Sequence, residues 1–82
     1  MADHAIALAS DQLGPSPDDN GMIHEDVVVT GTGGTTGAYT AQFVKRPIRV
    51  LWLGTYTISG QVVTLNSAAL TGVTMARIIG YA

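Results

Sequence analysis

From Met22 to the C-terminus no stretch carries the apolar period of a long helix; short β-branched runs recur between glycine- and threonine-rich breaks. That pattern confines the body to an all-β fold. Val27-Val28-Val29-Thr30 is the first run, and Gly31-Thr32-Gly33-Gly34-Thr35-Thr36-Gly37 interrupts it. Residues 38–44 alternate, with Tyr39, Ala41 and Phe43 on one face and Thr40, Gln42 and Val44 on the other. Lys45-Arg46-Pro47 marks a strand end or a sheet edge, because Pro47 has no N–H to give a ladder. Residues 48–53 are the most hydrophobic strand, with Ile48, Val50 and Trp52 expected on one face and Arg49, Leu51 and Leu53 on the other. Thr55-Tyr56-Thr57-Ile58 and Val62-Val63-Thr64-Leu65 flank Ser59-Gly60-Gln61, which predicts a hairpin with positive φ at Gly60. A loop over 66–72, with one helical turn at 67–70, leads to a last strand over 73–79. About six short strands predict a small antiparallel barrel or sandwich.

The first 21 residues read differently. Alanines favour helix over residues 1–13, and Asp3 can cap it, but Ile6 and Leu8 stand two apart and only Leu13 follows, so the helical stripe is poor. Contact with a body or a neighbour has to fix so short a segment. Gly14-Pro15-Ser16-Pro17-Asp18-Asp19-Asn20-Gly21 then breaks regular structure. The expected organisation is an extended or partly helical N-terminal arm with a proline/glycine hinge over 1–21, and a β-rich body over 22–82.

Charge follows the same division. Asp3, Asp11, Asp18, Asp19, Glu25 and Asp26 all precede residue 27; Lys45, Arg46, Arg49 and Arg77 all follow it. An acidic arm of this kind can lie on its own basic body or on a neighbouring copy. Charged residues make up 12% of the chain against about 25% in ordinary soluble domains, and apolar residues make up 46%. The 82 residues include no cysteine, so no disulfide can support a core of marginal size. Oligomerisation is the remaining common remedy. Several strands also carry apolar residues on both faces, as Val27–Val29, Leu51–Leu53 and Ile78–Ile79 do, whereas an isolated antiparallel sheet leaves one face polar. Subunit burial is the expectation. Asp3 stands where a secretory signal would carry positive charge, and no apolar run approaches the roughly 20 residues of a membrane span, so no membrane partner is expected.

The chemical motifs are weak. Gly31 and Gly33 fit a dinucleotide fingerprint, but Thr36 stands where its third glycine belongs, no lysine follows for a P-loop, and the segment leads into a strand rather than a helix. A hairpin loop is the simpler reading. His24 adjoins Glu25 and Asp26, but neighbours on a strand point to opposite faces, and His4 lies 20 residues away, so no metal site is expected. Ser10, Ser16, Ser59 and Ser67 lie in no nucleophile elbow. Neither catalysis nor a cofactor is expected. Lys45, Arg46 and Arg49 beside Phe43, Trp52 and Tyr56 form the strongest constellation, of the kind single-stranded nucleic acid binding uses. With only four basic residues to neutralise phosphate, an acidic partner surface is the better fit, with Trp52 as core or interface anchor. The candidate interface residues are Ile6, Leu8, Leu13, Arg46, Arg49, Trp52 and Tyr56.

A cysteine-free, Gly/Thr/Ala-rich β body with a proline-hinged N-terminus resembles small structural proteins of tailed-bacteriophage virions, head decoration (cement) proteins above all. The resemblance is carried by residues 1–21, by the Gly31–Gly37 loop, and by Arg49-Val50-Leu51-Trp52-Leu53. It implies a non-enzymatic homotrimer at capsid three-fold positions, clamping the major capsid or another shell protein in a virion assembled in the host cytoplasm. A tail or connector subunit is the alternative within that class. A small single-stranded nucleic-acid-binding β-barrel is the alternative outside it.

Overall fold

The computed structural model describes residues 4–10, 12 and 14–82, which form an all-β body of two antiparallel sheets. Eight strands follow in chain order: β1 (Ala5–Leu8), β2 (Ser16–Pro17), β3 (Ile23–Thr32), β4 (Thr36–Thr40), β5 (Arg46–Leu51), β6 (Thr55–Ser59), β7 (Val62–Asn66) and β8 (Thr71–Tyr81). The larger sheet runs β1-β3-β8-β5, with β2 also on β3; the smaller runs β4-β7-β6. No described helix is long and apolar enough to cross a membrane.

Alternation decides what each strand buries. On β3, Glu25, Val27 and Val29 point inward, facing Ile78, Ala76 and Thr74 of β8. From the other sheet Tyr39, Val63 and Leu65 complete the core, together with Ala41, Val44 and Val50. The β6–β7 hairpin closes through a two-residue loop with Gly60 at φ 61°, the backbone a type II′ turn requires at its first central position.

The N-terminal segment departs from expectation. Among the described residues before residue 19 it forms no helix, and it is not detached from the body. Ala5–Leu8 is a strand paired with residues 27–30, with Ile6 opposite Val29 and Leu8 opposite Val27. The two-residue spacing of Ile6 and Leu8, which spoils a helix, places both on the inner face of a strand. His4 N–H donates to Thr36 O (2.8 Å), joining the edge of the larger sheet to that of the smaller. The proline segment is tied down as well, since Ser16 and Pro17 pair with His24 and Ile23. Between β1 and β2 the Gln12 carboxamide takes the place of a strand. Its Oε1 accepts the Asp26 N–H (3.1 Å), and its Nε2 donates to the Ser16 hydroxyl (3.1 Å) and the His24 carbonyl (3.5 Å).

Three other boundaries differ. The strand expected over 38–44 ends at Thr40: Ala41 N–H still donates to Gln61 O, and a buried carboxylate captures the N–H groups of residues 42–44. A bulge between Pro47 and Arg49 shifts Ile48 out of phase, so Ile48 is exposed while Val50 is buried. Residues 67–70 form a bend rather than a helical turn, held by Gly33 N–H to Leu70 O (2.8 Å) and Leu70 N–H to Gly34 O (3.0 Å).

Candidate interaction surface

The most completely engaged polar group in the core is Glu25. It is wholly buried, and its strand phase aims it at the 41–45 crossover between the two sheets. Oε1 accepts the N–H groups of Phe43 (2.8 Å) and Val44 (2.9 Å); Oε2 accepts Gln42 N–H (3.1 Å) and the Tyr39 hydroxyl (2.8 Å). Three successive N–H groups form a nest around an anion. Burial, then the hydrogen bond to Glu25, raises the Tyr39 hydroxyl pKa well above its ordinary value, so Tyr39 remains a neutral donor. This arrangement holds the sheets together and leaves no free lone pair facing solvent.

Of the other acidic side chains near β3, Asp26 is ion-paired and Asp18 lies beside a histidine. Asp26 lies opposite Arg77 in register and receives Nε (2.8 Å) and Nη2 (3.4 Å), which raises the Arg77 pKa. Asp18 Oδ1 lies 3.5 Å from His24 Nδ1. The charge division seen in the sequence thus becomes, in part, a cross-strand ion pair within one sheet. Among the described residues no cluster of three or more metal-ligating side chains occurs and no pocket opens.

The expected interface residues scatter. Ile6 is half-buried against the core, and Leu8 is half-buried on the same face. Leu13 lies outside the described residues. Trp52 is half-buried against the core; its Nε1–H donates to Thr55 O (2.8 Å) and its ring meets His4 edge-on at 6.0 Å. Arg46 lies over the Tyr81 ring, 5.6 Å from its centroid, while exposed Arg49 faces Ile79 in register. Tyr56 is exposed on β6. The basic–aromatic set therefore does not converge: Trp52 turns to the core, and Arg46 is stacked on a residue the sequence reading did not pair with it.

What the surface does gather is large apolar side chains. Ile48, Leu51, Leu53, Val73 and Met75 are each between 51% and 69% exposed, and Tyr56, Val62 and Tyr81 are more than a third exposed. Val73, Met75 and Tyr81 lie on the outer face of β8, where Met75 is beside half-buried Val28, and Leu51 shares that face opposite Arg77. Leu53 lies in the corner between β5 and β6; on the smaller sheet Tyr56 is opposite Leu65 and Val62 opposite Ser59, so these two stand on opposite faces. Glu25 and Gln12, which organise the fold, were not singled out from the sequence, although the phase of Glu25 with Val27 and Val29 was a readable signal.

No protein family, curated protein or solved structure matches the chain.

Proposed function

We propose that this chain is a non-enzymatic structural subunit that works by assembling with copies of itself on a larger shell. The observation that carries the reading is the exposed apolar set at Ile48, Leu51, Leu53, Val73 and Met75 on a body with few charges. Large apolar side chains left exposed on a body with so little charge are candidate contact points for a partner. The engagement of Glu25 and Asp26 within the fold supports a structural role for the carboxylates on β3. Within assembly proteins, the bacteriophage head-decoration class is the one the sequence character favours, with a shell protein as second partner. The rival nucleic-acid reading loses support because Trp52 faces the core and Arg46 covers Tyr81.

Light scattering over a concentration series tests the reading. An oligomer that persists on dilution, and that Leu53→Lys weakens, is the expected result. A monomer at every concentration refutes self-assembly.

A further inference from the structure

Apart from the two-residue β2, which shares the β3 flank with β1, four of the described strands lie at sheet edges, and they are not treated alike. β1 and β4 approach each other through the His4–Thr36 hydrogen bond. β5 carries what natural sheet edges use to resist pairing: Arg46, Pro47, Arg49 and a bulge between Pro47 and Arg49. β6 carries none of these. Its sequence, Thr55-Tyr56-Thr57-Ile58-Ser59, has no charge, no proline and no bulge, four of its five residues are exposed, and it pairs only with β7 among the described residues.

We infer that the β6 edge is the seam by which two copies join, antiparallel, about a two-fold axis through Thr57. This rests on the self-assembly reading above and specifies its contact as a two-fold pair, in place of the three-fold ring that the resemblance implies. A two-residue hairpin loop makes the flanking pair, Ser59 and Val62, a hydrogen-bonded one. Alternation then turns Thr55, Thr57 and Ser59 toward β7 for hydrogen bonding, and leaves the N–H and C=O of Tyr56 and Ile58 on the outer edge. A two-fold through Thr57 sets Tyr56 of one copy opposite Ile58 of the next, and the reverse. All four outward groups per copy find partners. The same register places an aromatic beside a β-branched side chain, a favourable cross-strand pair, and Thr57 opposite Thr57. Neither copy brings a charge to the seam, so identical strands meet without repulsion. The three-stranded sheets become one continuous sheet, and exposed Leu53, Tyr56 and Val62 border the join.

The absence of native cysteine makes the register directly testable. Opposed residues in a non-hydrogen-bonded antiparallel pair have Cα atoms about 4.5 Å apart, within disulfide reach, whereas diagonal neighbours are about 7–8 Å apart. Thr57→Cys under mild oxidation should give a cross-linked dimer as the main product. Tyr56→Cys and Met75→Cys should cross-link far less. Thr57→Lys, which sets like charges opposite each other, should raise the concentration of half-dissociation at least about tenfold while leaving far-UV circular dichroism unchanged. An oligomeric wild-type protein whose Thr57→Cys variant stays unlinked, or links no faster than Met75→Cys, overturns the seam but not self-assembly. A wild-type monomer at all concentrations overturns both.

Discussion

Replacing Glu25 with glutamine changes one atom's chemistry and almost no volume, so its cost isolates the carboxylate. The carboxylate takes four donors, two on each oxygen. A glutamine amide offers one acceptor oxygen and an NH2 group in their place. If its oxygen keeps Phe43 and Val44, the NH2 faces the Gln42 N–H and the Tyr39 hydroxyl. Tyr39 can rotate its proton away and accept, but Gln42 N–H cannot. One backbone donor is then orphaned, at about 1–3 kcal/mol, and the two retained bonds change from charge-assisted to neutral, losing about 1 kcal/mol between them. The sum is about 3 kcal/mol. A domain of this length has a total stability on the order of 4–12 kcal/mol. Glu25→Gln should thus lose a large fraction of the native stability, and Glu25→Ala, which orphans all four donors, should leave little folded protein.

Urea unfolding followed by the single Trp52 gives the free-energy difference, and Tyr39→Phe closes a double-mutant cycle on the bond between the two side chains. Coupling of about 1 kcal/mol or more between positions 25 and 39 is expected. A Glu25→Gln midpoint within about 0.5 kcal/mol of wild type would refute the reasoning, because it would mean that the 41–45 crossover is held by packing and that the carboxylate adds nothing.

Tyr39 also gives a pH signature. Its folded pKa is raised while the unfolded value stays near 10, so the unfolded chain releases a proton that the folded one retains; stability from this group is intact below about pH 10 and declines above it, and Tyr39→Phe should flatten that part of an alkaline stability profile. Gly37→Ala should loosen the junction of the sheets: a Cβ there meets His4 Cβ at 2.7 Å and His4 O at 2.8 Å, and the overpacking should cost about 1–3 kcal/mol with faster hydrogen exchange at the His4 amide. Trp52→Ala should cost about 3 kcal/mol in chemical denaturation monitored by circular dichroism, since the ring packs on the core and on His4 and its N–H is hydrogen-bonded; an unchanged midpoint would place the ring's energetic role elsewhere.

The β class and the hairpin around Gly60 were legible because each rests on local signals: alternation, β-branching and a turn residue whose φ is fixed. Ile6 and Leu8 show where such signals mislead. Alanine propensity favoured helix, but their spacing of two matched the strand partners Val29 and Val27, and tertiary pairing decided the outcome. The phase of Ile48 could not be read, because a bulge at Pro47 resets the alternation and leaves no distinctive residue of its own. Glu25 lay between these cases. Counting by twos from Val29 through Val27 puts it inside, yet a carboxylate is taken as exposed unless donors are known, and its donors are the backbone of residues 17 to 19 positions later in the chain. The candidate surface was less legible still. Ile48, Leu53 and Met75 are apolar residues that any core would accept, and a bulge, a corner and a strand's outer face leave them outside.

Two arguments from the sequence pointed to self-association, and the structure separates them. The first was that a small core without disulfides needs outside support. Glu25 supplies an internal substitute, a node of four hydrogen bonds joining the two sheets, and β1 and β2 add strands where an unsupported arm was expected. A folded monomer is therefore physically reasonable, and the need for oligomerisation falls. The second argument was the shortage of charge, and the structure shows where it falls: the uncharged residues are concentrated at particular places. β5 is guarded by Arg46, Pro47, Arg49 and a bulge, while β6, across the Trp52 corner, is bare. Had low charge merely reflected composition, both edges would share it. The contrast between neighbouring edges of one small body is what the assembly reading explains, and a body that folds alone is what allows Thr57→Lys to separate assembly from folding.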